Sequence, residues 1–354
     1  MSQTDVLLEL LRSAVLDRQP VIQKDVVVDW DGLMDQATSQ NVLAWIWDGI
    51  CKLPESQKPP RRYAISWGLT AQEAWNDYAR QLDVLNRIVD ACDKQNIRVL
   101  LLKGLGLSSL FPNPKSRSSG DIDIYLFDDY EKGNHLFPEV EVKAAGKHSL
   151  IHVNGVLIEN HSNFLEPNTP QKRKILDKIH ASLSDVVLTP YGYYVLEPLS
   201  NCLFLAFHTS KHFLQKTILP IRNIIDFAMF MKSKNGQEKL APKECRELMK
   251  EMGMEKCFAM LIFLSEEILG INLSQYHFYT LPQKDMDMMR EILMDDSILE
   301  QMPLRKKRRY LRCVKRYIPR NLSIKQEMRG SVSRIVKRVL HVPEKESLRK
   351  KMSK

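Results

Sequence analysis

Apolar positions fall at helical spacing through the N-terminal region, to about Leu53. Val6, Leu7, Leu10, Leu11 and Val15 share one helix face, and Trp30, Leu33, Ala37, Val42 and Trp47 repeat the pattern. Pro54, Pro59 and Pro60 make 54–62 a turn or linker. A long helix is expected from about Ala71 to Gln95, with Leu82, Leu85, Ile88, Val89 and Cys92 on its apolar face. The pattern changes at Asn96. Val99–Leu102 is a continuous apolar run ending in Lys103-Gly104, which predicts a buried strand. Leu105–Phe111 follows as one or two helical turns, Pro112-Asn113-Pro114 breaks it, and Lys115–Gly120 is a polar loop. Asp121–Leu126 alternates strictly, predicting a half-buried strand. Asn154-Gly155 between Leu150–Val153 and Val156–Asn160 predicts a hairpin closed by a two-residue type I′ turn. Helices return from Glu197 to about Leu299, with Leu199, Leu203, Phe207 and Phe213 on one face of the first. The expectation is an α+β chain, a small mixed sheet between helical regions, without internal repeats.

With 354 residues, 44% of them apolar and 27% charged, the chain fits a soluble globular protein of two or three domains. No apolar run approaches the roughly 20 residues that span a bilayer, and the N-terminus has no basic region or small-residue cleavage site typical of a signal peptide. The six cysteines form no CxxC pair and no Cys/His cluster at zinc spacing, which favours reduced, buried thiols in a cytoplasmic protein. The net charge of +9 conceals an asymmetry: from Gln301 onward 19 Lys and Arg face three acids, a net of +16, leaving −7 on the rest. Within that appendage Tyr310, Leu311, Val314, Tyr317 and Ile318 form one apolar stripe, and Val332, Ile335, Val336, Val339 and Leu340 a second. Basic amphipathic helices of this kind either lie on an anionic membrane, grip RNA phosphates, or pack on an acidic body with a solvated outer face.

The chemistry gathers in the sheet. Residues two apart on a strand share a face, so Asp121 and Asp123 present their carboxylates together while Ile122 and Ile124 enter the core. Carboxylates that close repel each other unless a cation lies between them. Magnesium favours one or two carboxylates together with water and phosphate oxygens, so the pair suits a metal–nucleotide site. A bare Asp-x-Asp is more often a pair of solvated acids; the upstream Lys103-Gly104 and the Arg117-Ser118-Ser119-Gly120 loop shift that balance.

The stretch Ile97–Leu126, IRVLLLKGLGLSSLFPNPKSRSSGDIDIYL, resembles the signature of an uncharacterised nucleotidyltransferase family in the DNA-polymerase-β-like superfamily. The shared pattern is an apolar strand, Lys-Gly, a short helix, a proline-containing loop, an Arg, and Asp-Ile-Asp. A weaker likeness covers most of residues 1 to 300, including the helices carrying His208, Arg222 and Asp226. The resemblance implies a small mixed-sheet nucleotidyltransferase core with its leading helix at 63–196. Around it lie helical regions at 1–62 and 197–302 and a basic tail at 303–354.

It also implies roles. Asp121 and Asp123 would bind magnesium or manganese, and Glu159, carried in by the hairpin, is the candidate third carboxylate, against an equal reading as an exposed strand acid. Gly104 would admit the triphosphate, with Lys103, Arg117, Ser118 and Ser119 as phosphate donors. The reaction would move a nucleoside monophosphate from a nucleoside triphosphate to a hydroxyl on a small molecule, protein or RNA, releasing pyrophosphate. Two departures stand out: Leu105 follows Gly104 where Gly or Ser is usual, and sixteen residues separate Gly104 from Asp121, a longer gap than usual. Either Gly106 or Ser108 would replace the missing donor.

His208 and His212, at i and i+4, read as a polar patch facing the site, because no Glu follows the first His as a zinc protease requires. Arg222 and Asp226 share that spacing, as a simple ion pair or as a border of the cleft. Two other classes compete with an active enzyme: a catalytically idle binding module whose tail holds RNA or a peripheral membrane surface, and an antitoxin-like interaction protein.

Overall fold

A computed structural model of the chain describes residues 1–117, 119–138, 140–145, 148–216, 221–292, 305, 312 and 316–318. Ser118, Glu139 and most of the basic tail, including its second apolar stripe, lie outside them.

Three helices, α1 (Gln3–Val15), α2 (Trp30–Ser39) and α3 (Leu43–Cys51), open the chain. A capping box starts α1: the Ser2 hydroxyl accepts from the Asp5 amide and the Asp5 carboxylate accepts from the Ser2 amide. Helix α4 (Arg61–Asp93) begins ten residues before the predicted start. The proline-rich turn ends at Pro60, and no further breaker interrupts the run, so Trp67 and Ala71 are buried four apart on the same helix. Its expected apolar face is corrected too: Leu85, Ile88 and Cys92 are buried, whereas Leu82 is exposed and Val84 takes its place in the core.

Seven strands form one mixed sheet: β1 (Leu100–Leu101), β2 (Asp121–Tyr125), β3 (Val142–Ala145), β4 (His148–Val153), β5 (Val156–His161), β6 (Val187–Leu188) and β7 (Tyr194–Val195), in the order β3-β4-β5-β2-β1-β7-β6. β2 runs parallel to β5 and β1 parallel to β7; the other neighbours are antiparallel. Short helices α5 (Leu105–Ser108) and α6 (Tyr130–Asn134) and the longer α7 (Pro170–Ala181) connect strands. The C-terminal helices are α8 (Pro198–Lys216), α9 (Ile221–Lys232), α10 (Lys234–Lys239), α11 (Pro242–Glu251), α12 (Glu255–Leu269) and α13 (Gln283–Ile292). The architecture is α+β, as the alternation of patterns predicts.

The hairpin has the predicted form. Val153 faces Val156 across the turn, and Asn154 and Gly155 both have positive φ, 51° and 75°, the left-handed pair that a type I′ turn requires. Strand β2, expected to be half-buried, is covered on both faces: Ile122 and Ile124 join one core and Tyr125 the other. The first core holds α4's inner half, β2, β4 and β5; the second joins the N-terminal helices, Leu100, Tyr125 and the C-terminal helices. Arg12 of α1 donates to the carbonyls of Glu267 and Ile268 at the end of α12, so the two helical regions meet directly.

Five described cysteines are free thiols, four of them buried. No described helix is long and apolar enough to cross a membrane. In the tail, Tyr317 and Ile318 are buried in the larger core, and the Tyr317 hydroxyl and Arg316 guanidinium both donate to Asp285.

Candidate functional site

The parallel pairing of β2 with β5 sets the site. Asp121 lies opposite Leu157, Asp123 opposite Glu159 and Tyr125 opposite His161. Because parity is shared across the ladder, Asp121, Asp123, Glu159 and His161 all reach one face. The opposite face of β5 carries Val156, Ile158 and Asn160. The first two enter the core, while the Asn160 amide donates to the Tyr130 carbonyl and Asn134 side chain of α6. That division of faces is the one the hairpin register predicts. Carboxylate oxygens of Asp121, Asp123 and Glu159 lie within 4.8 Å of one another.

A cation already stands among them. Lys103, just past the end of β1, places its Nζ 2.5 Å from Asp123 Oδ2 and 3.5 Å from Asp121 Oδ1. On the other side of Asp123, His161 Nε2 is 2.9 Å from Oδ1. Burial alone would raise the Asp123 pKa, but the Lys103 ammonium and the His161 hydrogen bond outweigh it and hold the carboxyl below the usual range. Asp121 goes the other way: burial, then the Asp123 charge, push it up against the pull of Lys103. The His161 hydrogen bond lowers Glu159 against the cost of burial. Lys103 is raised, because Asp123 and Asp121 together overcome its desolvation. The adjacent acids therefore differ: Asp123 is locked as an anion, and Asp121 is the strained member.

The remaining predicted residues have distinct places. Gly104 sits at φ 62° and ψ −117°, and a Cβ there would stand 2.7 Å from Ser119 Oγ. That hydroxyl in turn donates to the Asp121 carbonyl at 2.9 Å, so Ser119 braces the start of β2. Arg117 is buried, and its guanidinium forks onto Asp226 of α9, with Nε 3.1 Å from Oδ1 and Nη2 2.5 Å from Oδ2. Asp226 is thus engaged by Arg117, 109 positions away in sequence. Arg222 lies near enough to be influenced by Arg117, Asp226 and Asp121, and burial, its largest influence, lowers its pKa. His208 and His212 of α8 place their Nε2 atoms 2.9 Å apart. Burial first, and then the Lys103 charge, hold His208 well below the ordinary imidazole value. So α8 and α9 do face the carboxylates. Of the expected donors, Gly106 is packed on Leu101, and the Ser108 hydroxyl donates back to the Leu105 carbonyl.

Sequence reasoning missed the service of Lys103 to the acids, the Arg117–Asp226 fork and the approach of His148 to Glu159. Only the first had a local signal, since an Asp pair facing one way calls for a nearby cation. The donor chemistry of the triad fits a hard divalent ion: three carboxylates at mutual reach, with an ammonium occupying the place such a charge would take.

No curated protein and no solved structure matches the chain. A family model does, over residues 27–270, a span that takes in the Lys-Gly loop, all three carboxylates and the α8 and α9 helices. The chain belongs to the uncharacterised nucleotidyltransferase family.

Proposed function

We propose that the chain is a metal-dependent nucleotidyltransferase that moves a nucleoside monophosphate from a nucleoside triphosphate to a hydroxyl acceptor, releasing pyrophosphate. The observation that carries this reading is the convergence of Asp121, Asp123 and Glu159 from two parallel strands. These three would hold magnesium or manganese, which when bound neutralises phosphate charge and acidifies the acceptor hydroxyl. The chain's own part is positioning and charge placement. Asp123, locked as an anion by Lys103 and His161, fixes the centre of the site. Gly104 leaves the backbone bare where a triphosphate would approach beside Ser119. Lys103 brings a flexible point charge that reaches phosphate oxygens as well as carboxylates. Arg117, held by Asp226, keeps the loop before β2 in place. The acceptor belongs to one of three classes: a small molecule, a protein side chain or an RNA end.

A specific observation also favours a second reading. The Lys103 ammonium between Asp123 and Asp121 supplies the compensating charge from within the chain, as an idle site would. In that case the fold serves as a binding or antitoxin-like protein, with residues 303–354 contacting RNA or an anionic membrane. One experiment separates the two: incubation with labelled nucleoside triphosphates, Mg2+ or Mn2+, and cell lysate. Label transferred by the parent and not by Asp121→Asn supports the transferase and identifies the acceptor class. Absence of transfer with every nucleotide and both metals gives the idle reading the field.

A further inference from the structure

Beside the three carboxylates the sheet assembles a second donor set of different chemistry. His148 opens β4 and stands directly opposite His161 in the antiparallel ladder, and Glu159 lies two residues from His161 on the same face. His148 Nε2 is 3.7 Å from Glu159 Oε1, and His161 Nε2 is 3.4 Å from Glu159 Oε2. Each imidazole therefore faces a different oxygen of one carboxylate. The three ligand atoms lie within 4.8 Å of one another, with His161 buried and the other two half-buried.

Those separations come near the edges of a coordination polyhedron. Around a tetrahedral zinc, with bonds of about 2.0–2.1 Å, neighbouring ligand atoms are about 3.3 Å apart. The two nitrogen–oxygen approaches here, 3.7 and 3.4 Å, end on different oxygens of Glu159, and a metal would draw both imidazoles toward one of them. The His148 and His161 ring centroids are 5.1 Å apart. His161 Nε2 is also 2.9 Å from Asp123 Oδ1. That nitrogen points at a junction of carboxylate oxygens, the place a small cation fills best.

We propose that His148, Glu159 and His161 form a second metal site, one that takes a borderline divalent transition metal such as Zn2+ or Co2+ rather than Mg2+. Imidazole nitrogen suits the later first-row metals, whereas magnesium keeps to oxygen and sheds water reluctantly. The site shares Glu159 with the carboxylate triad and touches it again where His161 meets Asp123, and it stands on the two histidines rather than on nucleotide transfer. When the metal binds, His161 Nε2 exchanges its Asp123 contact for the metal, and Asp123 keeps Lys103.

The test is Co2+ titration of the full chain in excess Mg2+, followed by visible absorption. The parent should bind one equivalent with the intense bands of four- or five-coordinate Co2+, displaceable by Zn2+. His148→Gln and His161→Gln should each weaken Co2+ binding by about 100-fold or more, as loss of a ligand costs at least what loss of an outer partner does. Asp121→Asn should keep Co2+ binding within a few-fold. A faint six-coordinate spectrum or no binding in the parent overturns the proposal whether or not the variants fold, as does unchanged affinity in His148→Gln. Failure of nucleotide transfer with the Co2+ site intact would count against the transferase reading alone.

Discussion

Two buried charge clusters lie close together in this molecule, and they are built on opposite principles. At Arg117–Asp226 a planar guanidinium meets a carboxylate in a fork, with both side chains at or below 10% exposure. At Lys103 a point charge meets Asp123 and Asp121, with Glu159 near, so the anions outnumber the ammonium. A fork has one geometry and binds the β2 entry loop to α9; an ammonium on a flexible stem can serve several oxygens in turn. The first cluster joins one cation to one anion, and in the second one ammonium is shared between two carboxylates. Both cations come from the stretch that resembles the nucleotidyltransferase signature, yet only the ammonium faces more than one carboxylate.

The sharpest way to break that contrast is Asp226→Ala. It strips a buried guanidinium of its forked partner and leaves it beside Arg222, so unfolding in urea should show a loss of about 3–5 kcal/mol. A loss below about 1 kcal/mol would mean that the fork is not the structural member. Glu159→Gln tests the other cluster: it keeps shape and removes charge, so transfer should fall roughly 100-fold while Mg–nucleotide binding stays within a few-fold. Near-parental turnover would remove Glu159 from the triad. The smallest effect is expected for the stability of Asp121→Asn. Its carboxyl is the strained one, pushed up by burial and by Asp123, and removing its charge should change unfolding free energy by no more than about 1 kcal/mol. Calorimetry of the same variant should show nucleotide binding lost. Asp123→Asn offers no such clean reading, because Asp123 is fully buried and holds both Lys103 and His161.

The parts of the site visible in the sequence are those fixed by parity and by one turn. Alternation puts Asp121 and Asp123 on one face, and the Asn154-Gly155 turn fixes the register that brings Glu159 to the same face. Only long-range pairing shows the rest. His148 meets Glu159 because β4 pairs with β5 as far as its first residue, and no spacing along the chain announces that. Asp226 offers a nearer partner in Arg222 by helical spacing, but it engages Arg117 from a loop that the fold brings alongside. Strands β6 and β7 are invisible for a different reason: each is two residues long, too short for alternation to register. In the tail, Tyr317 and Ile318 belong to the expected apolar stripe and are buried in the larger core, so packing on the body accounts for that part of it.

Helix α4 ties these regions into one thermodynamic unit. At 33 residues it is a rod of about 50 Å, with Trp67 set in the larger core and Val84, Leu85, Ile88 and Cys92 in the smaller. Neither core can melt without releasing one half of a continuous hydrogen-bonded ladder from its packing, and a helix half stripped of tertiary support is marginal in water. The slow-exchanging amides along both halves of α4 should therefore open together, in a single cooperative event.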